Sequence, residues 1–119
     1  MAETEDQIIA RAVAKNKLIR DTQDTFNKCL ATMIKKNADY SGEKEEGSDP
    51  FRNFLNAKMA GVSVQQGILV RSVDKFSRIS GLLANGNDPK VKEESVIDTI
   101  DDLINYMAIL KSTIINDIK

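Results

Sequence analysis

From residue 64 to residue 118 the apolar residues recur every three or four positions, with one interruption at NGNDPK (85–90). That spacing gathers them on one side of a helix. No run in the chain alternates apolar and polar residues at period two between turn signals, as a half-buried strand would. A second Gly-containing stretch, DYSGEKEEGSDP (39–50), reads as a loop, and Gly61 in AGVS reads as a helix stop. The pieces between these breaks are expected to be helices, which makes the chain all-α: a compact bundle of about four main helices in one domain spanning 1–119.

The first helix is expected from about Glu3 to Asn37, with a bend near Asn16 to Asp21. Its apolar stripe is Phe26, Cys29, Leu30, Met33 and Ile34, which places Cys29 in the core. KKNADYSG then ends it. A short second helix starts at SDPFRNF, with Asp49 as N-cap and Pro50 in the first turn, where its missing N–H costs nothing. It ends at Gly61. Ser63 and Gln66 form a capping box for a third helix, 64 to about 83. Leu69, Val73, Phe76, Ser80 and Leu83 are expected to form its seam, with Ile68, Ile79 and Leu82 in support. The fourth helix starts between Pro89 and Glu93 and runs close to Lys119. Ile97, Ile100, Ile104, Met107, Ile114 and Ile118 lie on one side of it.

Composition removes several classes of function. With 17 basic and 18 acidic residues the net charge is −1, which argues against DNA or RNA as a non-specific partner. The chain has no histidine, so histidine-based metal sites and Ser-His-Asp or Cys-His catalysis are excluded. One cysteine rules out an intrachain disulfide and fits a reducing compartment. The polar start MAETEDQ is no signal peptide, and no apolar run nears the roughly 20 residues that span a bilayer. No membrane partner is expected, and the expected location is the cytoplasm.

Two charged stripes remain. Glu94, Asp98 and Asp102 lie within about 40° of one line on the fourth helix, with Asn105 on the same line and Asp101 beside it. Carboxylates four apart repel by a few tenths of a kcal/mol, so a partner that offsets this is expected. It is either a hard cation such as Mg²⁺, for which Glu94, Asp98 and Asp102 are the candidate ligands, or basic residues on another helix. A solvated face reads equally well. On the third helix Arg71, Lys75 and Arg78 sit at i, i+4 and i+7, with Asp74 at the border. Such a stripe clamps phosphates, pairs with the acidic stripe, or faces water. Helices three and four should pack antiparallel and bring the two stripes to one cleft.

Four segments in order, NADYSG, DPFRNF, GILVRSVDKFSRISGLL and ESVIDTIDDLINYMAIL, resemble the nucleotide modification associated domain 1 family, a small all-α family common in phages and prophages. Asp39 and Tyr40 match its Asp-Tyr motif. Arg71, Asp74, Lys75 and Arg78 match its Arg-x-x-Asp-Lys-x-x-Arg helix. Asp98, Thr99, Asp102, Leu103, Asn105 and Tyr106 match its final helix. The resemblance covers roughly 35 to 111, the expected nucleotide-binding core, and leaves residues 1–30 as a helical segment without a motif.

The resemblance implies a phage-type protein that binds or sequesters a phosphate-bearing nucleotide, such as a signalling nucleotide of a host defence system, in the host cytoplasm. Arg71, Lys75 and Arg78 would hold phosphate, while Asp39, Tyr40, Asn53, Asn105 and Tyr106 would orient the ligand. A more distant likeness, to the all-α nucleoside triphosphate pyrophosphatases of the MazG and dimeric dUTPase type, implies an alternative: a Mg²⁺-dependent nucleotide pyrophosphohydrolase. Those enzymes place carboxylates on two helices, whereas here 25–37 and 50–60 contain none. A third reading is a helical interaction module whose stripes are salt bridges. A homo-oligomer, most simply a twofold dimer, is expected.

Overall fold

The computed structural model describes the backbone of residues 2–41, 56–84 and 89–118, and the side chains of 2–36, 57–84 and 95–118. All regular structure among these residues is helical: α1 (Glu5–Val13), α2 (Lys17–Ser41), a 3₁₀ turn (Asn56–Ala60), α3 (Val64–Ala84) and α4 (Pro89–Ile115). The all-α reading with four α-helices therefore holds. Among the described residues no helix is long and apolar enough to cross a membrane.

The first helix divides in two. Thr4 and Gln7 start α1 with a reciprocal capping box: the Gln7 N–H donates to Thr4 Oγ1, and the Thr4 N–H donates to Gln7 Oε1. The chain turns at 14–16, and Asn16 caps α2 by accepting from the Ile19 N–H. Asparagine competes for backbone hydrogen bonds, so the expected bend becomes a break. At its other end α2 runs to Ser41 and carries Asp39 and Tyr40 on helical backbone, past the end expected at Asn37. Nothing in KNADYS removes a backbone donor or demands a left-handed residue, and the first glycine is Gly42.

The expected helix over 50–60 lies partly outside the described residues, and its remainder is 3₁₀ rather than α. It closes on Gly61, whose φ of 75° suits glycine, with Val62 N–H bonded to Ala57 O and Gly61 N–H to Lys58 O. The 3₁₀ turn presses so closely on α3 that a Cβ at Gly67 would sit 2.8 Å from the Ala57 Cβ. Ser63 and Gln66 form the expected capping box. The fourth helix stops at Ile115, earlier than expected. Asp117 adopts φ 52° there, and Ile118 N–H reaches Thr113 O in a Schellman-type close.

Helix α4 is central: α3 packs along it, α2 crosses it, and α1 packs on α2. Bonds from Arg78 to Ser95 and from Gln65 to Ile118 O show that α3 and α4 run antiparallel. Their contact is lined by buried Ser72, Thr99 and Thr113, small enough for close approach, and each hydroxyl donates to a carbonyl one turn back. Val64, Ile68 and Ile109 make the core, with Met33, Tyr106, Leu110 and Ile118 packed around it. Cys29 is buried as expected. Desolvation first, then the neighbouring Asp101 charge, pushes its thiol up and keeps it protonated.

The seams differ from expectation. On α3 the buried line is Val64, Ile68 and Ser72, whereas Leu69, Val73, Phe76 and Leu83 are exposed. On α4 the buried line is Val96, Thr99, Asn105, Ile109 and Thr113, and Ile97, Ile100, Met107 and Ile114 stay accessible. On α2 Phe26 and Leu30 are exposed while Cys29 is buried. Helices α3 and α4 thus bury Val64, Ile68, Val96 and Ile109 together with Ser72, Thr99, Asn105 and Thr113, and leave a second apolar stripe outside.

Candidate functional site

The face of the α3–α4 pair that meets α2 is charged. Arg71, Asp74, Lys75 and Arg78 from α3 and Tyr106 from α4 line one open cleft of about 450 Å³. Residues 71, 75 and 78 share a face because i, i+4 and i+7 stack along a helix. Tyr106 enters the same cleft because it follows buried Asn105 on α4 and is itself packed against the core. Among the described residues the lining holds three cations and one carboxylate.

Asp102 of α4 lies beside the cleft, paired with Lys75. Its Oδ1 accepts from Lys36 Nζ of α2 at 2.9 Å, and its Oδ2 lies 3.2 Å from Lys75 Nζ of α3. One carboxylate thus ties three helices together. Burial alone would raise its pKa, but hydrogen bonds and charge from Lys36 and Lys75 outweigh burial and hold it below the usual carboxylate range. Further along α4, Lys28 approaches Asp101 at 3.6 Å, and Arg78 Nη2 donates to Ser95 Oγ at 2.9 Å. The basic residues anticipated as partners of the acidic stripe are therefore Lys75 from α3 and, from α2, Lys36 and Lys28. Read locally, Lys36 only complements a helix end, because its partner stands 66 residues away.

The structure does not bring all the candidate residues together. Arg71, Lys75, Arg78 and Tyr106 come together in the cleft. Asn105 is buried where α2 crosses α4, and its Nδ2 donates to Cys29 O at 3.0 Å, so it clamps the two helices. Asp98 is exposed on α4. Asp39, Tyr40 and Glu94 ride on helical backbone with side chains outside the described residues, and Asn53 lies outside them altogether.

As a Mg²⁺ site the described donors fit poorly. Both Asp102 oxygens already face ammonium groups, and a cation needing oxygen ligands at about 2.1 Å would have to displace one. Among the described residues no three Asp, Glu or Cys side chains converge on one point. Compared with protein-family models, curated proteins and solved structures, the chain matches none.

Proposed function

We propose that the protein binds a phosphate-bearing nucleotide in the α3 cleft and holds it without cutting it. The observation that carries this reading is the convergence of Arg71, Lys75, Arg78 and Tyr106 on one cleft of about 450 Å³, within the size range of small-molecule sites. Arg71 and Arg78 supply planar forks for phosphate oxygens, and Lys75, steered by Asp102, supplies a point charge. The Tyr106 ring offers a face for a base, a contact worth about 1–3 kcal/mol where measured. Asp74 supplies an acceptor for a ribose hydroxyl or a base amino group. The absence of histidine and the engagement of Asp102 by two lysines favour gripping over hydrolysis. The resemblance to the nucleotide modification associated domain 1 family agrees with a phage protein that sequesters a nucleotide, for instance a host-defence signal.

The test is a nucleotide panel that includes cyclic dinucleotides and ADP-ribose derivatives, with and without Mg²⁺. It is read by melting temperature and by chromatography after denaturing the protein. A binder is recovered intact, and at about 100-fold excess over its Kd it stabilises the fold by roughly 2.7 kcal/mol. Turnover that requires Mg²⁺ and is abolished by Asp98→Ala supports the pyrophosphohydrolase instead. No melting shift across the panel overturns both nucleotide readings. It would leave the interaction module, which the Lys36–Asp102–Lys75 bridge across three helices favours.

A further inference from the structure

The opposite face of the α3–α4 pair is apolar, and among the described residues nothing covers it. Leu69, Ser72, Val73 and Phe76 from α3, with Leu103 and Met107 from α4, line a shallow groove of about 300 Å³ without a charged group. Val73 and Phe76 are 62% and 65% exposed, although such side chains normally build a core. The groove belongs to a longer pattern. Leu69, Val73, Phe76, Ser80 and Leu83 follow one another at steps of four, three, four and three. Ile97, Ile100, Ile104 and Met107 do the same at three, four and three, and Ile114 continues the register past Lys111. Alternating steps of three and four make the apolar seam that packs knobs into holes of a partner helix. In each helix this seam points away from the chain's own core.

The geometry points to a second copy of this chain as the partner: two α3–α4 pairs dock seam against seam about a twofold axis and close a four-helix core between them. Area supports this occupant. Eight large apolar residues of the two seams, Leu69, Val73, Phe76 and Leu83 of α3 with Ile97, Ile100, Met107 and Ile114 of α4, are between 39% and 70% exposed. At roughly 200 Å² for each when fully exposed, they present an area on the order of 800 Å², about what each partner buries in a standard interface. The seams extend along most of α3 and α4, so the partner must offer an apolar helical face equally long, and a second copy offers the same face by symmetry. An isologous contact needs only a self-complementary surface, and the uncharged lining of the groove imposes no like-charge penalty. The charged cleft lies on the other side of α3, so docking leaves it open, and this inference stands whether or not a nucleotide binds there.

The test combines mass and accessibility on the full chain. Sedimentation across a wide concentration range should give a mass of two 13.2 kDa chains or an even multiple of two, with single chains appearing only on dilution. Val73→Glu should shift the chain to monomer, while Met59→Glu, at an exposed site off this face, should leave the mass unchanged. Should Val73→Glu fail to fold, Val73→Cys serves in its place. Its introduced thiol should resist labelling in concentrated protein and react on dilution into monomer. A monomer at every concentration, an unchanged mass in Val73→Glu, or an introduced thiol equally accessible at all concentrations overturns the proposal. A monomer in which the introduced thiol is protected would mean that another part of the same chain covers the groove, and it too overturns the proposal.

Discussion

Ile68 and Leu69 are adjacent on α3 and meet opposite fates: Ile68 is fully buried, and Leu69 is 47% exposed. The same contrast extends along the helix. One side of the α3–α4 pair is held to α2 by ions and amides: Lys75 and Lys36 on Asp102, Lys28 near Asp101, Asn105 on Cys29 O. The other side carries Leu69, Val73, Phe76 and Met107 with nothing over them among the described residues. In a lone domain the better apolar stripe would go to the chain's own core. Here the intrachain contact sets serine, threonine and asparagine beside the small core of Val64, Ile68 and Ile109, and a second apolar stripe is left exposed. Ion pairs and an amide position α2 against the α3–α4 pair, and on the proposed dimer the exposed stripe would contribute its hydrophobic term on association.

The largest effect is expected in the core itself. Ile68→Ala should cost about 2–5 kcal/mol in urea unfolding, because it empties a fully buried site. Leu69→Ala should instead lower stability mainly by weakening association, so its cost should depend on protein concentration. Equal, concentration-independent losses at both positions would erase the distinction between the faces.

On the charged side, Arg71→Ala and Arg78→Ala should each weaken nucleotide binding by about 1.5–3 kcal/mol, or roughly 10- to 100-fold in Kd by calorimetry. Both residues are exposed, and their variants should leave the melting temperature of the free protein nearly unchanged. Next comes Asn105→Ala, which removes the buried amide and its bond to Cys29 O at the α2–α4 crossing and should cost about 1–3 kcal/mol. The smallest effect concerns Asp102. Its folded-state pKa lies below the unfolded value of about 3.9. Its pairing therefore stabilises the fold above roughly pH 4 and is lost as pH falls through the lower folded value. Asp102→Asn should remove that part of the acid dependence and, at neutral pH, cost on the order of 1 kcal/mol, since both lysines remain partly exposed. A stability profile below pH 4 unchanged by Asp102→Asn would mean that the bridge carries no stability.

How far the sequence could be read follows from the range of each determinant. Ser63 and Gln66 announced the start of α3, Gly61 the end of the segment before it, and 71, 75 and 78 their common face, because all depend on residues within two turns. Which stripe faces inward depends on neighbours tens of residues away. Periodicity drew an apolar line through Leu69, Val73 and Phe76 and took it for the packed seam, but that line is exposed, because spacing along one helix does not say which of its stripes a neighbour covers. The role of Lys36 was hidden for the same reason. Asn105 was read on the line of the acidic stripe as a ligand-orienting residue, whereas it is buried and bonded to a backbone carbonyl of α2, a contact with no local signature.

The two faces of the α3–α4 pair are proposed to do different work, one gripping a nucleotide and the other meeting a second copy of the chain. Amide and side-chain chemical-shift mapping by NMR can watch both faces at once, as the tightest-binding member of the nucleotide panel is titrated into the full chain. Shifts are expected at Arg71, Asp74, Lys75, Arg78 and Tyr106, while Leu69, Val73, Phe76 and Met107 stay still. Shifts centred on that apolar set, with the charged residues unmoved, would contradict the division of labour.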